Sequence, residues 1–131
     1  MAELRGKVFE YAIEVGSDGA TSVPGGATVG LPAEWTPDHL LLAALVHCSI
    51  QSLAHHARRF GHELRASGSA SGRVSKREGD GRYAFVEIDC RIEAELTPAA
   101  PDPSELIARA ERDCFVSATL ALKPRYEWRI G

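Results

Sequence analysis

Cys48, Cys90 and Cys114 are the residues of this 131-residue chain best suited to chemistry, and their surroundings differ. Cys48 lies inside the most apolar helical segment, residues 40–52, and Cys114 closes a shorter amphipathic segment at Asp113-Cys114-Phe115-Val116-Ser117. Cys90 falls on the apolar side of an alternating strand, where a small buried hydrophobe satisfies the position. Two helix-borne thiols are either core residues, since unpaired cysteine is among the most buried residue types, or the halves of a redox centre. In such a centre one thiolate attacks an electrophile and the other closes a disulfide. The histidines add less. His55 follows Cys48 by seven positions, so it shares a helix face but lies roughly 10 Å further along. His47 points about 100° away around the helix and reads as a hydrogen-bonded core or interface residue, whereas His55, His56 and His62 read as a solvated polar face. Cys48 and these histidines have no ligand spacing, so neither a metal site nor a cofactor is expected.

The elements that must position the thiols follow from periodicity and punctuation. Residues 7–15 alternate Phe9, Tyr11, Ile13 and Val15 against Val8, Glu10, Ala12 and Glu14, a half-buried strand, and Gly16-Ser17-Asp18-Gly19 is its turn. Residues 20–35, with Pro24-Gly25-Gly26, Gly30 and Pro32, have loop chemistry. Thr36-Pro37 starts a helix, with an N-cap hydroxyl and a proline at the first helical position; it runs to about Phe60, where Gly61 supplies a left-handed stop. Its N-terminal half is apolar nearly all round and is expected to be buried on several sides. The C-terminal half, with His55, His56, Arg58 and Arg59, is expected to reach solvent. Residues 65–77, rich in Ser, Gly and Ala, give a weak strand signal, whereas Ala84, Val86, Ile88, Cys90, Ile92, Ala94 and Leu96 make a long antiparallel-type strand with one wet face. Asp102-Pro103-Ser104-Glu105 reads as a capped helix start with Glu at N3 of a capping box, and Leu106, Ile107, Ala110 and Cys114 form that helix's inward stripe. A short helix over 116–122 and a closing strand through Tyr126, Trp128 and Ile130 complete the order. Strands joined by turns, with helices on one face, make the fold class α+β.

Composition bounds the function. With 44% hydrophobic and 25% charged residues, residues 1–131 form one ordinary domain. A formal net charge of −3 gives no basic footprint for nucleic acid or anionic membrane. The residues Met1-Ala2-Glu3-Leu4-Arg5 carry no apolar signal core, and the apolar run over 40–46 is too short to cross a bilayer, so a cytoplasmic address is expected. Three cysteines without a close-spaced pair fit neither a secreted disulfide framework nor a zinc knuckle.

The run Thr36-Pro37-Asp38-His39-Leu40-Leu41-Leu42-Ala43-Ala44-Leu45-Val46-His47-Cys48 resembles the central-helix motif of the OsmC/Ohr family. Glu111-Arg112-Asp113-Cys114-Phe115-Val116-Ser117 is similar to its second-cysteine motif, with Cys-Phe-Val-Ser in place of the usual Cys-Pro-Val-Ser. The resemblance implies the OsmC-like fold, antiparallel sheets with a long central helix in an intertwined homodimer, and reduction of organic hydroperoxides. By it Cys48 is the peroxidatic thiol and Cys114 its resolving partner. A dithiol, in the family often lipoyl-type, restores the pair, and Leu41, Leu45, Phe115 and Leu120 line an apolar pocket for the substrate tail. Asp38 stands where the family has the glutamate that orients a thiolate-binding arginine, although a first-turn acid favouring the helix dipole explains it equally. The arginine itself has no counterpart, for the chain has none between Arg5 and Arg58. That departure keeps a second reading open, in which the fold binds an apolar small molecule or a protein partner at the same cleft and the peroxidase activity has degenerated.

Overall fold

The structure, a computed structural model, describes residues 5–131 in two compact units that divide at residues 36 and 37. Residues Met1-Ala2-Glu3-Leu4 of the expected leaderless start lie outside the described residues.

The first unit carries three two-residue strands, β1 (Glu14–Val15), β2 (Thr21–Ser22) and β3 (Thr28–Val29), paired antiparallel in that order. The expected turn is present. Gly19 adopts φ +84° and donates to the Gly16 carbonyl at 2.9 Å, and Asp18 Oδ1 accepts the Ala20 backbone N–H at 3.0 Å. The strand expected over 7–15 is shorter than its alternation, since only Glu14 and Val15 join a ladder. Tyr11 and Ile13 are exposed, so the apolar pattern of 7–13 is not used against a sheet within this unit.

The second unit contains α1 (Pro37–Arg59), β4 (Glu63–Lys76), β5 (Tyr83–Thr97), α2 (Ser104–Arg112), α3 (Phe115–Thr119) and β6 (Arg125–Ile130). The sheet order is β4-β5-β6. β4 and β5 form a long antiparallel hairpin with an irregularity between Arg73 and Val74, and β6 runs parallel to β5, an exception to the antiparallel pairing expected. Alternation in β5 holds from Ile88 onward, where Ile88, Cys90, Ile92, Ala94 and Leu96 are buried while Asp89, Arg91, Glu93 and Glu95 face outward; before it, opposite the irregularity in β4, Val86 of the expected dry face is 43% exposed. The helix α1 stops as its punctuation indicates, with Gly61 at φ +85° and the His62 N–H donating to the Ala57 carbonyl at 2.9 Å.

The buried side of α1 is Leu45, Ser49, Ser52, Leu53, His56 and Ala57, one stripe at helical spacing that packs on β4, β5 and the two short helices. Two expectations are met only in part. The N-terminal half is not enclosed within one chain, for Leu40 is 40% exposed and Leu41 and Leu42 are half-buried. In the C-terminal half His55, Arg58 and Arg59 are exposed as expected, and only His56 departs, because α2 lies along that side: Ser52 Oγ donates to the Ala110 carbonyl at 2.8 Å, and the buried His56 meets Asp113 with Nε2 to Oδ2 at 2.7 Å. By length and composition α1 is also apolar enough to span a bilayer, which the run over 40–46 did not indicate; its buried stripe makes it the core helix here. At the start of α2, Asp102 Oδ1 accepts the Ser104 N–H at 3.0 Å, but Glu105 pairs with Arg109 at 2.8 Å and completes no capping box. The helix after Cys114 begins at Phe115 and ends at Thr119, sooner than expected, because Leu120 turns extended at ψ 145° ahead of Pro124.

The weak strand signal of β4 has a packing cause. A Cβ on Gly68 would lie 2.8 Å from both the Arg91 carbonyl oxygen and Ile92 Cδ1 and 3.0 Å from Val46 Cγ1 of α1, and one on Gly72 would lie 2.7 Å from the Phe85 ring. Small residues here let helix and hairpin approach. Gly68→Ala is therefore expected to cost about 1–3 kcal/mol of stability through overpacking. Gly79→Ala, whose Cβ would meet nothing within 4 Å, should stay within about 0.5 kcal/mol. Urea midpoints of the two variants check this, and equal midpoints would remove the close-approach account.

Candidate active site

Cys114 holds the junction between α2 and α3 in an extended conformation, φ −75° and ψ 110°, and its side chain is fully buried. That break aims the backbone N–H groups of Phe115 and Val116 at α1, where both hydrogen-bond the half-buried Cys48 sulfur. The Cys48 sulfur also neighbours Cys114. The two helix-borne thiols are thus brought together by one kink. All three cysteines are free thiols.

Among the described residues no cation acts on Cys48. Burial raises its pKa above the ordinary value, the Val116 N–H opposes this, proximity to Cys114 raises it further, and the Phe115 N–H lowers it, with a net upward shift. None of these influences is a guanidinium or ammonium group, in keeping with the missing arginine.

Around Cys114 lies a cluster that the sequence does not announce. Ser49 is fully buried, with its Oγ 3.7 Å from Cys114 Sγ and 2.9 Å from Tyr126 Oη. Burial pushes the Tyr126 phenol up to about 12 against the opposing hydrogen bonds of Ser49 and Ser117. Cys90 pairs with Tyr126 in the β5/β6 register and is 1% exposed. Burial pushes its thiol up to about 11, opposed by a hydrogen bond from Ser49. It fills the core as its strand position implies, and it also adjoins the Ser49 hydroxyl. A serine following Cys48 and a tyrosine on an alternating strand carry no motif, so only the register of β6 and the turn of α1 reveal the cluster.

The other site candidates are spread more widely. Asp38 is exposed in the first turn of α1, about 15 Å along the helix axis from Cys48. Leu41 and Leu120 are half-buried against the core, Leu45 is wholly inside it, and Phe115 is 59% exposed. A groove of about 900 Å³ is lined instead by residues of β4, β5 and the chain end, among them Arg65, Glu93, Trp128 and Arg129. His47 and His55 are exposed, and His62 Nδ1 meets the Pro98 carbonyl at 2.6 Å. Among the described residues no group of three or more His, Cys, Asp or Glu side chains is placed to hold a metal ion.

No protein of curated function matches the sequence. Solved structures share the fold. An OsmC-like protein of unknown function from Vibrio cholerae superposes with a TM-score of 0.71 at 16% identity over 83% of this chain and 82% of the other. An OsmC-like protein from Mycoplasma pneumoniae gives 0.69 at 16% identity over 96% and 99%. The organic hydroperoxide resistance protein OhrB of Bacillus subtilis gives 0.57 at 18% identity over 93% and 96%. The family described as OsmC-like protein matches residues 30–129, a span that takes in the whole of α1 and both thiols it brings together, and the chain therefore belongs to the OsmC family.

Proposed function

We propose that the protein, read as one OsmC-like domain over residues 1–131, is a cytoplasmic thiol peroxidase that reduces organic hydroperoxides through Cys48 and Cys114. The observation that carries this is the meeting of the Cys48 sulfur with Cys114 and with the N–H groups of Phe115 and Val116. The Cys48 thiolate attacks the distal peroxide oxygen, the O–O bond breaks, and the alcohol leaves with a proton. Cys114 then attacks the resulting sulfenic acid, the S–S bond forms, and the hydroxyl departs as water. A dithiol, of lipoyl type in the family, returns both thiols by two exchange steps. Hydroperoxide resistance proteins among the structures that share the fold are consistent with this substrate class. Leu41, Phe115 and Leu120 are assigned to the wall that receives an apolar tail, with the fully buried Leu45 backing it, while Asp38 holds the place of the family's acid near the helix start without an arginine to orient.

One equivalent of an organic hydroperoxide should yield a disulfide between Cys48 and Cys114 and leave Cys90 as a thiol. Peptide mapping decides it, and a disulfide containing Cys90, or a lasting Cys48 sulfenic acid beside untouched Cys114, would overturn the roles.

The working unit in this reading is an intertwined homodimer. Leu40 and Phe115 are exposed in one chain and Leu41 and Leu42 only half-buried, an apolar surface of the kind that a second subunit covers. Equilibrium sedimentation should give a dimer at micromolar concentration; monomer alone would remove the claim.

A second reading has its own support. Cys48 is raised in pKa and no cation among the described residues acts on it, as expected of an OsmC-like protein whose peroxidase activity has degenerated and whose cleft binds an apolar small molecule or a protein partner.

A further inference from the structure

Resting on the peroxidase reading, we propose that Ser49 and Tyr126 form a hydroxyl relay that takes the proton from Cys114 as it closes on oxidised Cys48. Cys114 and Ser49 are both fully buried, so the thiol proton has no direct route to water. The route present runs from Cys114 Sγ to Ser49 Oγ at 3.7 Å and from there to Tyr126 Oη at 2.9 Å. Tyr126 hydrogen-bonds Ser117 as well, and both are only half-buried, so the chain leads from a sealed sulfur toward solvent.

The closing step frees a proton at the buried sulfur, and the relay gives it a way out. The Cys114 sulfur gives up its proton to the relay as its electron pair forms the S–S bond, while the Cys48 S–O bond breaks and the departing hydroxide takes a proton from solvent at the half-buried Cys48 to leave as water, so one proton leaves for each one taken up. The oxidising equivalents come from the hydroperoxide already consumed. Ser49 and Cys48 are successive residues of α1, separated by about 100° around the helix. The Ser49 hydroxyl therefore approaches Cys114 from a different side than the Cys48 sulfur does. A hydroxyl both donates and accepts, so Ser49 accepts from the thiol while donating to the phenol, and Tyr126 passes a proton on in the same way. Packing alone does not call for these groups, since two apolar residues of the same shape would leave no buried polar atom to satisfy.

Stopped-flow oxidation of the full-length protein with cumene hydroperoxide separates the two steps, with sulfenic acid trapped on Cys48 and the disulfide followed by mass spectrometry. In Tyr126→Phe the ratio of the closing rate to the Cys48 oxidation rate should fall about tenfold or more, a part of the roughly 10²–10⁴-fold that positioned proton transfer contributes, since Ser49 remains. The solvent deuterium isotope effect on closing should be larger in the wild type than in the variant. Ser49→Ala should lower the same ratio at least as far, and Ser49→Thr, which keeps the hydroxyl, should restore part of it. An unchanged ratio and isotope effect in Tyr126→Phe would overturn the relay alone, as would equal slowing of both steps, which marks a packing defect. Wild-type protein whose Cys48 stays reduced under hydroperoxide would overturn the peroxidase reading and the relay with it.

Discussion

Cys48→Ser is expected to stop hydroperoxide turnover, a loss on the order of a thousandfold or more, because a serine hydroxyl without an adjacent base is a far weaker nucleophile than a cysteine sulfur. Cys114→Ser should behave differently. Its Cys48 sulfur keeps the Phe115 and Val116 N–H partners, so the first attack still occurs and about one equivalent of peroxide is consumed per chain. Turnover then stalls, since the sulfur assigned to displace the hydroxyl from Cys48 is gone. The serine is smaller and preserves a polar group near Ser49, so folding should survive. Burst stoichiometry measured beside steady-state rate makes the comparison. Equal loss of the burst in both variants would contradict the division of labour between an attacking and a resolving thiol.

Legibility in the sequence followed the range over which each feature is determined. The alternation of β5 and the Thr36-Pro37 and Gly61 bounds of α1 rest on local rules, and both elements stand where those rules put them. β4 was faint because Gly68 and Gly72 answer to Val46, Ile92 and Phe85 rather than to strand propensity. His56 looked like part of a wet face because nothing local shows that α2 returns along the end of α1, with Asp113 in reach of the imidazole. The thiol pair was visible through motif resemblance, each cysteine in its own segment. Its hydroxyl neighbours were not, for Ser49 and Tyr126 are 77 positions apart and meet only through the parallel placement of β6 beside β5. The alternation over residues 7–13 remains the feature whose pattern exceeds what its own unit uses.

Reactivity at Cys48 is expected to rise steeply with pH, and this separates an efficient peroxidase from a degenerate site. Burial and Cys114 outweigh the Val116 and Phe115 N–H groups, so the thiol titrates above its ordinary value, with the free residue near 8.5. A raised thiol pKa keeps the nucleophilic form scarce at neutral pH, and the observed rate follows that fraction. Alkylation of Cys48 by iodoacetamide, on a Cys90→Ala/Cys114→Ser background that leaves one thiol, should accelerate about tenfold per unit from pH 6 to pH 8 and level only above the pKa. Hydroperoxide consumption by the wild type should follow the same slope. A second subunit that presents a lysine, histidine or arginine to Cys48 would reverse the sign, since an opposite charge within about 4–6 Å favours the thiolate. Both rates would then be flat across neutral pH, and they would steepen on dilution to monomer. A pKa below about 7 would eliminate the degenerate-site reading. One well above about 8.5 in the dimer would leave too little thiolate for efficient peroxide reduction, and the cleft would then be better understood as a binding site.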